Sequence, residues 1–286
     1  MFLYKSFDLY VLRVRKMLIG IYPPRYTVKL DMTFKDAIFG LNFRRIRYPP
    51  VIEEDGRYMG LLRLQNIIEK TYEYYEKNTF AELQNIKALE LSDNTVPPVT
   101  LMKPSIDELI DLMTSHKVGA LAVVNKNEEV IGEITEKNLI DTIDIRKPFG
   151  ILIGDIISGK EIIKVEATDI LISAVELMRK HKVKRLPVVF QGELIGIITI
   201  RDVLKYFALQ LRSYGSIRED SLKVPIWSIS TPKPITIGID DDIVKAIELF
   251  KTEDVGSLIV VDENYNLRGM LTEIDILRHY DLLSKN

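Results

Sequence analysis

At the ends of three Gly-containing apolar runs, this 286-residue chain sets a threonine three positions ahead of an acid or amide: Thr199 with Asp202, Thr272 with Asp275, and Thr135 with Asn138. Each closes an apolar run and opens an apolar pattern at helical spacing, as in LIGIITIRDVL. Two kinds of chemistry fit. The spacing is that of a capping box, in which hydroxyl and acid satisfy the orphan amides of a helix start. The same groups also suit a nucleoside phosphate. A helix N-terminus presents free amides and partial positive charge to an anion. The hydroxyl can donate to a phosphate oxygen, and a carboxylate can accept from both hydroxyls of a ribose cis-diol. Ionised acceptors make the stronger bonds, so Asp202 and Asp275 suit ribose better than Asn138 does.

The elements that position these groups recur four times. Each copy is an apolar strand, a turn, a second strand carrying Gly, and a helix start: IRYPPVIEEDGRYMGLLRLQN, VGALAVVNKNEEVIGEITEKN, VKRLPVVFQGELIGIITIRD and VGSLIVVDENYNLRGMLTEID. The glycines Gly60, Gly132, Gly196 and Gly269 stand 72, 64 and 73 residues apart. A helix residue precedes each strand start by nine positions, in Ala37/Ile46, Leu109/Val118, Ala174/Val183 and Ala246/Val255. A spacing held in all copies makes the repeat the unit of architecture. In the third copy, Ile162 to Val165 reads as a short strand. Ile170 to Met178 has helical periodicity, and Leu186–Phe190 and Leu194–Ile198 form a hairpin across Gln191-Gly192. A second helix opens at Thr199. The unit is β-α-β-β-α, so the fold class is α/β (α+β).

A unit of about 60 residues buries too little surface to stand alone. The repeats are therefore expected as two tandem pairs: 21–146, with repeats near 21–75 and 95–146, and 147–286, with repeats near 148–210 and 224–282. Tyr72–Asn94 and Arg212–Lys233 read as linkers within pairs, Lys147–Gly150 as the joint between them, and residues 1–20 as an N-terminal extension. Apolar residues make up 47% of the chain, but no uncharged run is long enough to span a membrane. Zero cysteines excludes disulfides, thiolate metal sites and cysteine nucleophiles, and fits a cytoplasmic setting. With 39 basic against 41 acidic residues there is no global field to attract nucleic acid.

The pattern Leu-Pro-Val-Val, hairpin, Gly-Ile-Ile-Thr-x-x-Asp resembles the CBS domain, named after cystathionine beta-synthase. Four such repeats resemble the gamma subunit of AMP-activated protein kinase and its stand-alone archaeal relatives. The resemblance implies a disk with nucleotide clefts between paired repeats, Asp on ribose and Thr near phosphate. It ranks Thr199/Asp202 first, Thr272/Asp275 second and Thr135/Asn138 third as ligand contacts. It also implies that Lys184 and Arg185 aim at phosphates, where the other copies have Arg47-Tyr48, Gly119-Ala120 and Gly256-Ser257. Adenine would lie against Ile163, Lys164, Val183 and Ile198 of the third copy, and Ile235, Thr236 and Val255 of the fourth. The first copy has Arg63 and Asn66 in place of Thr and Asp, and a complete nucleotide is not expected there.

The expected function is a non-enzymatic cytoplasmic sensor of AMP, ADP or ATP, with no catalytic cofactor, no metal and an unidentified protein partner. Association of the pairs into a homodimer is open. The alternatives are a ligand-independent assembly module, whose Thr-x-x-Asp pairs are only caps, and a sensor of S-adenosylmethionine or methylthioadenosine. Gly154 to Glu161 falls short of a phosphate-binding loop, because Glu161 replaces the magnesium-holding hydroxyl. His116, His181 and His279 lack metal-ligand spacing. His116 and His181 read as exposed loop ends. Asp240–Asp242 reads as a helix start and Phe2–Ile19 as a segment packed on the body. Arg44, Arg45 and Arg47 form a basic group of the kind that touches RNA, a reading the balanced overall charge argues against.

Overall fold

A computed structural model of the chain describes residues 19–44, 46–101 and 104–283. Residues 2–18 of the apolar N-terminal segment, Arg45 and the Arg44 side chain lie outside the described part. The first repeat runs β1 (Val28–Lys29), α1 (Phe34–Arg44), β2 (Pro50–Ile52), β3 (Tyr58–Leu62) and α2 (Leu64–Glu76). A 3-10 turn at Phe80–Asn85 and α3 (Ala88–Leu91) follow. The second repeat has β4 (Ser92–Asp93), β5 (Val99–Thr100), α4 (Ile106–Ser115), β6 (Ala120–Val124), β7 (Val130–Thr135) and α5 (Glu136–Ile140). The third has α6 (Ile153–Ile157), β8 (Val165–Glu166), α7 (Leu171–Lys180), β9 (Arg185–Phe190), β10 (Glu193–Thr199) and α8 (Ile200–Tyr214). The fourth has β11 (Thr231–Pro232), β12 (Thr236–Gly238), α9 (Ile243–Thr252), β13 (Ser257–Val261), β14 (Leu267–Thr272), α10 (Glu273–Leu277) and α11 (Tyr280–Leu283).

Local chemistry sets the element ends. Gln191 and Gly192 both take positive φ, 51° and 88°, which is the backbone a two-residue hairpin needs. α8 starts at the Thr199 cap and stops at Gly215, whose φ of 73° no β-carbon penalises. Asp242 caps α9, accepting from the Val244 amide at 2.9 Å, so the Asp240–Asp242 run is a helix start. His116 and His181 are the half-buried C-cap residues of α4 and α7, not exposed loop ends, because each helix runs up to its histidine. The strand expected over Ile162–Val165 is shorter and later, at Val165–Glu166, where it pairs in parallel with Val188 and Val189 of β9.

Four small sheets result among the described residues. Each contains one parallel strand and one hairpin, as in β12-β13-β14, where Thr236 pairs with Ile259 and Leu258 with Leu271. Within a pair the repeats exchange their leading segments. β4 closes the sheet of the first repeat (Leu61 with Asp93), and β11 closes that of the third (Gly196 with Pro232). In return Ile21 bridges Glu133 on β7, and α6 packs on β14, with Ile157 over Gly269. This exchange binds repeats one to two and three to four as tandem pairs.

The helices assemble across the pairs. One apolar core joins Phe34, Ile38, Ile67 and Ile68 of the first repeat to Leu171, Val175, Met178 and Phe207 of the third. A second joins Leu109, Met113, Leu139 and Ile140 to Ile243, Ile247, Phe250 and Ile276. α1 packs on α8, α2 on α7, and α5 on α9 and α10. Phe80 meets Phe207 edge-on, with ring centroids 6.0 Å apart. Helix faces too apolar for water thus bury one another between pairs, and the sheet ends are left to form clefts within pairs.

Candidate functional site

A cleft of about 430 Å³ lies between repeats three and four. That volume is within the roughly 300 to 1,000 Å³ of small-molecule sites. Its polar floor is Thr199 and Asp202 at the start of α8. Its apolar walls are Ile197 and Ile259 with Ile235 and Val255 from the fourth repeat, and its cations include Lys184, Arg185, Arg201 and Lys233. Arg47 and Tyr48 reach the same cleft from the first repeat. The capping box is closed: the Thr199 amide and hydroxyl donate to Asp202 Oδ2 at 2.8 and 2.6 Å, and the Asp202 amide donates to Thr199 Oγ1 at 3.3 Å. Asp202 Oδ1 accepts from the Thr231 hydroxyl at 3.3 Å. One carboxylate oxygen is committed to the helix, and the other is available to a ligand.

A second cleft of about 270 Å³ is related to the first by the internal repeat. Here Thr272 and Asp275 lie opposite Ile163, Val183 and Lys182, with Lys184 and Arg185 again at one end. The apolar wall thus comes from the repeat that does not supply the Thr-x-x-Asp pair. Ile163 and Val183 face Asp275, while Ile235 and Val255 face Asp202. Asp275 is buried, and Thr272 donates to its Oδ2 through amide and hydroxyl at 2.9 and 2.6 Å.

Three apolar-wall expectations fall elsewhere. Ile198 is fully buried in the core, because strand alternation turns its neighbour Ile197 to the cleft instead. Lys164 is exposed and does not line these clefts. Thr236 opens β12 beside the lining residue Ile235 and is itself outside the lining.

The third cleft, about 280 Å³, lies in the first pair and holds Thr135 and Asn138 with Ile21 and Ile46. Thr135 caps α5 through its bonds with Asn138. Where the other clefts have Ile197 and Met270, this one has Glu133, 1% exposed and bonded to Arg25 Nε at 2.6 Å. At the worn position of the first repeat, Arg63 donates to Asp93 at 2.6 Å and to the Lys117 carbonyl at 3.3 Å. Asn66 bonds the Leu91 carbonyl at 3.0 Å. The arginine holds its own repeat pair together.

All three clefts open onto one charge cluster. Equivalent positions of the four repeats alternate large and small: Arg47-Tyr48, Gly119-Ala120, Lys184-Arg185, Gly256-Ser257. The glycines make room. A β-carbon on Gly256 would fall 2.2 Å from the Arg47 guanidinium, and one on Gly119 would fall 2.8 Å from the Glu136 carboxylate. Arg185 donates to the Gly256 carbonyl, and Lys184 to the Tyr48 hydroxyl. Glu136 and Glu273, each directly after its capping threonine, face these cations; Arg47 lies 3.3 Å from Glu273. Burial alone would weaken the Arg47 cation, but Glu273 and Glu136 outweigh it and hold its pKa above the ordinary value. Arg185 is pushed down to about 10 by burial and then by Arg47, and so stays charged near neutrality. Burial, followed by the charge of Glu273, raises Glu136 to about 7. Neither glutamate is among the residues that the repeat pattern or the resemblance points to. Their signal was available: repeats one and three carry Leu64 and Ile200 at that position.

Among the described residues no group of His, Asp and Glu is arranged to hold a metal, and no helix is long and apolar enough to cross a membrane.

Comparison with known proteins agrees with this architecture. A protein from the ribosomal RNA operon of Thermofilum pendens is 26% identical over 93% of this chain and 91% of its own. Protein MJ1225 of Methanocaldococcus jannaschii is 29% identical over 93% of this chain and 99% of its own. The crystal structure of MJ1225, described as a candidate archaeal homologue of g-AMPK, superposes with a TM-score of 0.78 over 92% of this chain and 99% of that one. Inosine-5'-monophosphate dehydrogenase of Aquifex aeolicus is 31% identical over 45% of this chain, but over only 26% of the enzyme. The CBS domain model matches residues 19–73, 95–145, 153–209 and 226–281, and the chain therefore belongs to the CBS-domain family, with four copies of the domain.

Proposed function

We propose that this protein is a non-enzymatic regulatory sensor that binds an adenosine phosphate in the cleft between repeats three and four. The observation that carries the reading is the convergence in one cleft of a ribose acceptor, a phosphate-sized group of cations and two apolar walls. Asp202 offers Oδ1 to the ribose hydroxyls. Ile235, Val255 and Ile197 supply the surface against which a purine is sandwiched. Arg185, Lys184 and Arg47 supply the charge for phosphate, with the fork of each guanidinium matched to two oxygens. The Thr199 hydroxyl is directed at Asp202, so its part is to hold that carboxylate in place. The similarity to MJ1225 supports a regulatory role. Because the cations come from repeats one and three, a phosphate among them couples the two pairs. Such coupling regulates a partner only if the ligand favours one pair geometry over another.

Thermal unfolding with AMP, ADP, ATP, S-adenosylmethionine and GTP tests this. A ligand at one hundred times its dissociation constant adds about 2.7 kcal/mol, which moves the midpoint by several degrees. A shift with adenosine phosphates and not GTP is expected. A shift with S-adenosylmethionine alone would move the assignment to a phosphate-free adenosyl ligand. No shift in protein freed of co-purified nucleotide would sink the reading and favour the assembly module, which the closed capping boxes at Thr135, Thr199 and Thr272 already suit.

A further inference from the structure

The two clefts of the second pair share a plan but differ at one charge. In the first, Asp202 Oδ1 accepts from a neutral hydroxyl, Thr231, at 3.3 Å, and no cation pairs with Asp202 among the described residues. In the second, the corresponding oxygen of Asp275 carries the Lys160 ammonium at 2.6 Å, with Arg278 at 3.4 Å beyond it. Asp275 is 8% exposed and Lys160 40%, so the ion pair is half shielded from water at the mouth of the cleft. Both residues line the cavity. Lys160 comes from the segment that the third repeat sends across to the hairpin of the fourth, as Thr231 comes from the segment crossing the other way.

We propose that Lys160 is a built-in competitor for the ribose subsite of the second cleft, which makes two otherwise equivalent sites unequal. The inference rests on the adenosine-phosphate reading above. A carboxylate oxygen that already accepts a short charge-assisted bond must give it up before it accepts a ribose diol, and the ammonium must be resolvated or find another anion. Nothing comparable opposes a ligand at Asp202. The second cleft therefore fills only after the first and at higher ligand concentration. Lys160 is the residue that sets this interval.

The test is calorimetric titration of the full chain with AMP as probe, on wild type, Lys160→Met and Lys160→Met/Asp275→Ala. Methionine keeps the apolar stem and removes the charge. Wild type is expected to show one tighter and one weaker class of site. Lys160→Met should tighten the weaker class about three- to fivefold, the scale of an ion pair half open to water, and leave the tighter class unchanged. Adding Asp275→Ala should abolish the tightened class. The reciprocal variant Thr231→Lys should weaken the tighter class. If wild type binds AMP but Lys160→Met gives the same isotherm, or if wild type already fills two equal sites, the role of Lys160 is wrong and the nucleotide reading stands. If wild type binds no adenosine phosphate at all, both fall together. Thermal unfolding of each variant separates a lost site from a lost fold.

Discussion

The two pairs of repeats have the same elements in the same order, yet they use the positions around their clefts differently. In the second pair, Asp202 and Asp275 each keep one oxygen outside the helix cap, facing a cavity with apolar walls. In the first pair the equivalent positions are closed internally. Arg63 is held by Asp93, Asn66 by a backbone carbonyl, and Glu133 stands paired with Arg25 where an apolar wall residue would be. A buried carboxylate with a cation is a poor surface for a purine face. The repeat supplies a scaffold, and a handful of side chains at its strand ends sets the charge and polarity of each cleft.

The comparison can be broken most decisively at Asp202. Asp202→Ala should weaken AMP binding about ten- to a hundredfold, since hydrogen bonds to a charged group are worth about 1.5 to 3 kcal/mol, whereas Asn66→Ala should leave AMP titration unchanged. Next in size is Arg25→Ala. It strips the partner from the nearly buried Glu133 and should cost about 2 kcal/mol in chemical denaturation, with no loss of AMP affinity; a loss of affinity would make the first pair a site after all. Arg185→Gln should weaken AMP about tenfold and adenosine much less. Equal losses for both would remove Arg185 from the phosphate.

The smallest effect expected of a single cap sharpens the contrast between capping and binding. Thr135→Ala and Thr199→Ala should each cost about 1 kcal/mol in stability, but only Thr199→Ala should also lower AMP affinity, by loosening Asp202. A pH series probes the shared centre. Glu136 has a pKa raised to about 7 from 4.5, so the folded state holds its proton more tightly than the unfolded chain. Its contribution is therefore present below about pH 4.5 and lost as pH rises through 7. Glu136→Gln should match wild type near pH 4 and be the more stable protein at pH 8. A difference that grew toward low pH would contradict the burial argument.

Much of this was legible in the chain. The four phrases with their glycines announced the β-α-β-β-α unit, and Thr199, Thr272 and Thr135 cap helices as their spacing implied. Legibility failed wherever a residue acts on another repeat. Ile163 and Val183 belong by sequence to the third copy, but they face the Asp of the fourth. Ile198 flanks the strand that the resemblance sets against adenine, but strand parity gives that place to Ile197. Arg47 stands in the sequence within a basic group with Arg44 and Arg45, and in the fold it sits in the centre against Glu273.

What the sequence determined by itself was local: caps, turns and helix periods depend on residues a few positions apart, whose geometry the backbone fixes once the element forms. The tertiary structure decided which repeat faces which. Leading segments cross within each pair, and apolar helix faces meet between pairs, one with three and two with four. Those choices bring Arg47 to a cleft more than a hundred residues downstream and put Lys160 on Asp275. No short-range pattern encodes such contacts, because they follow from how whole surfaces bury one another rather than from any spacing along the chain.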